Sequence, residues 1–234
     1  GSTFLSKVLQ VSLIDFNRSS VPLMEIVTEP DIHSPEQAKE YAKNIRDILR
    51  YLDVANCDMD QGGMRLEANI SLASPGQKGL PNYKVEVKNI NSFRFMEQAI
   101  EYEIERQSKI LDEGKIPVQE TRGWDSKKSI TFSQRTKEDA EDYRYFPDPD
   151  LPPIRFSREN IEEIRSQIPE LPDEVVSRWE KEHSVEERYS KQLITSVKVA
   201  NLLDKSFKNA LDEGLNPNKI ASALVNKKIN ISRE

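Results

Sequence analysis

Apolar and polar positions alternate cleanly over residues 64–72. Met64, Leu66, Ala68, Ile70 and Leu72 fall on one side; Arg65, Glu67, Asn69 and Ser71 fall on the other. A period of two predicts a strand with one apolar and one polar face. After a Pro/Gly-rich loop at 73–82, Tyr83, Val85 and Val87 alternate with Lys84, Glu86 and Lys88 in the same way. The pair reads as an antiparallel hairpin whose charged face is either solvated or the floor of a site. Residues 8–16 read as a strand by their branched and apolar content. The run 22–27 reads as another, short and buried, with Glu25 as its one charge.

Elsewhere the period lengthens to that of a helix. Ser34 can cap, Pro35 suits the first helical position and Gln37 completes a capping box. Ala38, Tyr41, Ala42, Ile45, Ile48, Leu49 and Leu52 follow at helical spacing. A long helix is expected over 93–113, with Phe93, Met96, Ala99, Ile100, Ile104 and Leu111 as its buried stripe and Gly114 at its end. Residues 117–135 return to extended structure around Trp124, Ile130 and Phe132. The four prolines of 142–154 predict a shaped loop that closes a first domain. The remainder reads as helices: a stripe of Ile161, Ile164 and Ile168; a helix from 171–173 carrying Val175, Val176 and Trp179; a capping box at 184–187; a helix through Phe207 to Gly214; and a last start at Asn216 and Pro217.

Composition narrows the function classes. The chain has 234 residues, 36% hydrophobic and 32% charged, enough for one large or two smaller domains. No apolar run approaches the roughly 20 residues that cross a bilayer, so no membrane span is expected. A lone cysteine, Cys57, excludes an internal disulfide and suits a reducing compartment; a buried structural thiol is its default role. His33 and His183 are expected in surface or capping roles. The net charge of -6 argues against a whole-surface polyanion binder, but residues 188–234 carry nine Lys/Arg against four Asp/Glu. Such a basic tail either holds a phosphate backbone or is a set of solvated helix faces.

Phosphate-loop, dinucleotide and Cys/His metal signatures are missing from the sequence. Oxygen chemistry remains. Glu25 in an apolar run is costly unless paired, metal-bound or on a polar face. Glu67 and Glu86 share strand faces with Arg65, Lys84 and Lys88, a set that suits either Mg²⁺ with phosphates or a salt-bridged wet hairpin. The run 142–150 (DYRYFPDPD) reads as a site loop or as an aromatic plug.

Five ordered blocks then carry a resemblance: 15–18 (DFNR) with 21–31 (VPLMEIVTEPD), 65–71 (RLEANIS), 86–93 (EVKNINSF), 119–122 (QETR) and 142–150, with 168–172 (IPELP) at the join to the helical part. Together they resemble the B subunit of glutamyl/aspartyl-tRNA amidotransferases, and the likeness is expected to fade after about residue 185. The resemblance implies an α+β fold: an antiparallel-sheet cradle related to glutamine synthetase over 1–156, then an all-helical domain over 157–234. It implies ATP- and Mg²⁺-dependent γ-phosphorylation and amidation of glutamate on misacylated tRNA(Gln), with ammonia from an amidase A subunit and a small linker subunit in the complex. It places Glu25 as a metal ligand, Glu67 and Lys88 as catalytic residues, and Arg65 and Arg144 as phosphate or substrate contacts. The family's opening Glu/His segment does not occur here, and no start methionine is present. The chain is therefore expected to lack part of the metal site, and by itself not to hydrolyse ATP in response to charged tRNA. A noncatalytic tRNA-binding or assembly subunit with the same fold is the alternative. The mitochondrial matrix is the expected location, with the bacterial cytoplasm as the other choice.

Overall fold

A computed structural model describes residues 2–6, 11–17, 21–74, 76–136, 150 and 152–229. It divides into two compact units, residues 1–33 and 34–234. In the first, β1 (Ser2–Ser6) pairs antiparallel with β2 (Val11–Asp15), Ser2 opposite Asp15 and Ser6 opposite Val11. β1 was not legible in the sequence. The expected strand at 22–27 is a correction: the segment 21–29 is irregular, and Leu23, Met24 and Val27 are 90%, 70% and 75% exposed. Apolar content sets strand propensity, but a strand also needs an edge to bond to.

In the second unit, Ser34 caps α1 (Pro35–Tyr51) by accepting from the Gln37 backbone N–H. Ser92 caps α2 (Phe93–Asp112) in the same way through Phe95. Gly114, at φ +74°, turns the chain out of α2 in a left-handed conformation open to glycine. Lys39 of α1 meets Glu97 of α2 at 2.6 Å.

Four strands form one sheet in the order β3 (Leu66–Ile70), β4 (Val85–Ile90), β5 (Glu120–Asp125), β6 (Ile130–Thr136). β3 and β4 are the expected antiparallel hairpin. β4 and β5 run parallel, because α2 carries the chain back across the sheet between them. The sheet is thus mixed, a correction to the all-antiparallel expectation. Leu66, Ala68, Ile70, Val85, Val87, Ile90 and Trp124 are buried on it, with Met96, Ala99 and Ile100 buried on α2.

Polar groups lie inside this layer as well. Glu103, fully buried on α2, accepts from Arg106 at 2.8 Å and from Gln107 at 3.0 Å, and takes the Thr131 hydroxyl of β6. Arg122 of β5 approaches Glu103 at 3.2 Å, bonds Glu120 at 2.6 Å and donates to the Thr131 carbonyl at 2.9 Å. Tyr83 donates to Gln107 at 3.1 Å and accepts from the Leu72 N–H. Burial pushes the Glu103 carboxyl up, but the bonds from Arg106, Thr131 and Gln107 outweigh it and hold it below the usual carboxylate range.

The rest of the described chain is helical: α3 (Arg158–Gln167), α4 (Pro172–His183), α5 (Glu187–Leu193), α6 (Val197–Asp212) and α7 (Pro217–Val225). Val175, Trp179, Val185, Ala200, Leu203, Phe207 and Ala221 form its core, and Tyr51 from the end of α1 joins them. Arg178 is bidentate to Asp204 at 2.8 and 2.9 Å and also holds Glu170. Three expectations change here. Ile161, Ile164 and Ile168 are 45–55% exposed, although α3 forms where they predict it. Ser184 sits at φ +53° as the left-handed end of α4, so it does not open the next helix. His183 is buried 5.8 Å from the Phe207 ring, because it closes α4 on the core side.

Arg122→Ala leaves the Glu103 charge buried with fewer partners; a loss of about 3–5 kcal/mol is expected by urea denaturation. The Glu103 carboxyl is depressed in the fold, so its contribution is complete above the ordinary glutamate value of about 4.3. That contribution disappears as pH falls through the lower folded value. The melting temperature should therefore hold from neutral pH to about 5 and drop below it, and Glu103→Gln should flatten that acid limb.

Candidate functional site

Strand parity puts α2 and the apolar residues on one face of the sheet and a polar set on the other. On the polar face, Lys88 of β4 stands 3.6 Å from Glu67 of β3 and 3.5 Å from Glu86 of its own strand. Both separations exceed a direct charged hydrogen bond, which closes to about 2.7–2.9 Å. The ammonium is thus tethered between two carboxylates. Thr121 of β5, the register partner of Glu86, donates its hydroxyl to the second Glu86 oxygen at 2.8 Å. The side chains of Glu67, Lys88 and Glu86 are 47%, 38% and 21% exposed, open enough for a solute to reach.

A bulge builds this arrangement. The register shifts between Leu66 and Ala68, so that Lys88 and Asn89 together face Glu67. Asn89 takes φ +63°, the left-handed state that Asn tolerates better than most side chains. One step across the sheet, Gly123 pairs with Lys88 on one side and with Phe132 on the other. A Cβ at Gly123 would lie 2.8 Å from the Phe132 ring and 2.5 Å from the Gln134 amide, so both side chains lean over the flat strand.

Of the residues singled out in the sequence, the structure brings Glu67, Glu86 and Lys88 together. Arg65 lies exposed just before β3. Glu25 lies in the first unit, exposed in the irregular segment 21–29, outside any strand. Arg144 and most of 142–150 lie outside the described residues. Thr121, Gly123 and Asn89 were not singled out as site residues in the sequence. Thr121 gave a usable signal, a hydroxyl directly before the Arg of the 119–122 block; Asn89 gave none that separates it from any strand-end Asn. Cys57 is buried, as expected, and burial raises its thiol above the ordinary range.

Two carboxylates sharing an ammonium match the small protein share of a Mg²⁺ shell that phosphate oxygens and water complete. Among the described residues no group of three or more His, Cys, Asp or Glu converges on a point, so these residues alone make no cage. A cavity of about 320 Å³ lies elsewhere, lined by Tyr189, Asn218, Lys219, Ser222, Ala223 and Lys228. It holds none of the sheet residues, and the chemistry favours the sheet face. No helix among the described residues is long and apolar enough to cross a membrane.

Asn89 tests the bulge. Asn89→Gly should leave stability within about 0.5 kcal/mol, whereas Asn89→Val, forced into a left-handed state, should cost about 1–2 kcal/mol in urea denaturation.

Residues 3–162 match the family model described as GatB/GatE catalytic domain. The B subunit of the aspartyl/glutamyl-tRNA(Asn/Gln) amidotransferase of Persephonella marina is 48% identical over 215 residues, 92% of this chain and 44% of the relative. The protein of the same name from Thermodesulfovibrio yellowstonii is 47% identical over 211 residues, 90% of this chain and 43% of its own length. That of Herpetosiphon aurantiacus is 54% identical over 168 residues, 72% of this chain and 35% of its own. The chain spans less than half the length of these curated relatives. A match of 215 of the 234 residues also runs past residue 185.

Proposed function

The chain belongs to the GatB/GatE catalytic domain family, and we propose that it is the activating part of a tRNA-dependent amidotransferase subunit, acting on glutamate carried by misacylated tRNA(Gln). The observation that carries this reading is Lys88 held open between Glu67 and Glu86 on a wet sheet face, inside the stretch that matches the family's catalytic domain.

In the proposed reaction, a γ-carboxylate oxygen attacks the terminal phosphorus of ATP. A P–O bond forms, the bond to the bridging oxygen breaks, and ADP leaves. Ammonia then attacks the acyl carbon, the C–O bond to phosphate breaks, and loss of a proton gives the amide. Catalysis of such a transfer rests on positioning and on neutralising phosphate charge. Lys88 supplies a point charge beside the transferred group, and Arg65 and Arg144 are proposed further contacts to phosphate or substrate. Glu67 restrains the ammonium and accepts the proton that the attacking ammonia loses. Bound Mg²⁺ would neutralise the phosphate oxygens; Glu67 and Glu86 are the carboxylates on this face that would hold it. Glu25 is proposed as a metal ligand by its place in the 21–31 block. An amidase subunit with a small linker subunit is the proposed ammonia source. We assign residues 1–156 to the catalytic cradle and 157–234 to a helical domain.

The test is amide formation on Glu-tRNA(Gln) by the full-length protein in its complex, with ATP and glutamine supplied. Lys88→Ala and Glu67→Gln are each expected to lower the rate by about 10²-fold, and Glu25→Ala to raise the Mg²⁺ concentration needed for half activity. A Lys88→Ala protein as active as the parent would sink the catalytic reading and leave a tRNA-binding or assembly subunit. Asp-tRNA(Asn), offered in parallel, reads the choice of amino acid.

A further inference from the structure

We propose that Phe132 and Gln134 form the base-binding end of the nucleotide site, the Phe132 ring stacking on adenine and the Gln134 amide reading its edge. The inference rests on the proposed contact of Lys88 with the phosphates of ATP. Register pairing places Lys88 of β4, Gly123 of β5 and Phe132 of the edge strand β6 in one row across the polar face. Strands lie about 4.8 Å apart, so the ends of this row are about 10 Å apart at the backbone. Gly123, in the middle, has no side chain to fill the space. The Phe132 ring and the Gln134 amide both lean over it, 2.8 Å and 2.5 Å from where a Cβ would stand. The ring therefore reaches from the edge of the sheet toward the ammonium.

Phe132 is 42% exposed, the one large apolar side chain so exposed among the described strand residues of this sheet. Cover for Gly123 uses one face of the ring. The other is left to water, in the row that leads to Lys88. An aromatic face in that place suits a flat heterocycle, and every base offers one. Ribose and phosphates then bridge the distance to the ammonium. Lys88 alone would take any polyphosphate, and Phe132 alone any base. Gln134, exposed beside the ring, adds a donor and an acceptor on one amide. That pair matches adenine, whose amino group donates next to a ring nitrogen that accepts. Guanine presents two acceptors on the corresponding edge. The three side chains together describe a nucleoside triphosphate with adenine as its base.

Amide formation by the full-length protein in its complex, run with ATP and with GTP, tests this. Phe132→Leu keeps Gly123 covered and removes the π face. It should raise KM for ATP about 10-fold, with KM for the aminoacyl-tRNA unchanged. Phe132→Tyr, which keeps the ring, should stay within about 2-fold of the parent. Gln134→Leu should lower the preference for ATP over GTP, as a ratio of kcat/KM values, about 10-fold. A Phe132→Leu protein with the parent KM for ATP overturns the proposal, because a mere cover for Gly123 tolerates Leu. A rise confined to KM for the aminoacyl-tRNA also overturns it and puts the terminal base of the tRNA on the ring. An unchanged ATP-to-GTP ratio in Gln134→Leu overturns the reading of the base edge. If Phe132→Leu does not fold, Phe132→Met, which also covers the glycine, decides. The two readings fail separately. A parent rate in Lys88→Ala removes the phosphate contact on which the base site rests, whereas a slow Lys88→Ala beside a silent Phe132→Leu removes only this inference.

Discussion

A carboxylate without access to water, Glu103, is the constraint around which the sheet layer is arranged. A charge in that position is tolerated only when its oxygens are filled from several directions. Arg106 and Gln107 reach it along α2, Arg122 from β5 and Thr131 from β6. Each donor comes from a place that the backbone has to reach first. The demand for satisfaction therefore fixes where α2 crosses the sheet and which way β5 and β6 face. A wrong register would strand a charge, a far larger penalty than a misplaced methyl group.

The polar face inherits that order. Strand parity means that turning Arg122 inward to Glu103 turns its neighbours Thr121 and Gly123 outward. Thr121 then stands beside Glu86, and Gly123 beside Lys88. The bulge at Asn89 sets two β4 residues against Glu67 where a regular ladder would set one. The arrangement of carboxylates around Lys88 thus follows from a buried network on the reverse side of the same strands.

Much of this was legible from residue pattern. The alternation through Glu67 and Lys88 gave both strands and their wet face, and Ser34 and Ser92 marked two helix starts that the structure keeps. Glu103 and Gln107 were overlooked although they lie in phase with Met96, Ala99 and Ile100, because polar residues on an apolar stripe are read as its edge. The parallel pairing of β4 and β5 depends on where α2 lands, which local pattern does not encode. The segment 21–29 misled because apolar residues promise burial without naming a partner, and its Leu23 is 90% exposed. For Arg144 and its loop, the family blocks remain the only guide.

Tyr51 gives α1 a second attachment. The helix is about 25 Å long by its 17 residues. Near its first end Lys39 fastens it to α2 over the sheet, and at its last residue the Tyr51 ring is set among Trp179, Phe207 and their neighbours. One helix is thereby shared between two packing layers, and withdrawing the Tyr51 ring from its socket would expose an aromatic side chain that is now 3% exposed.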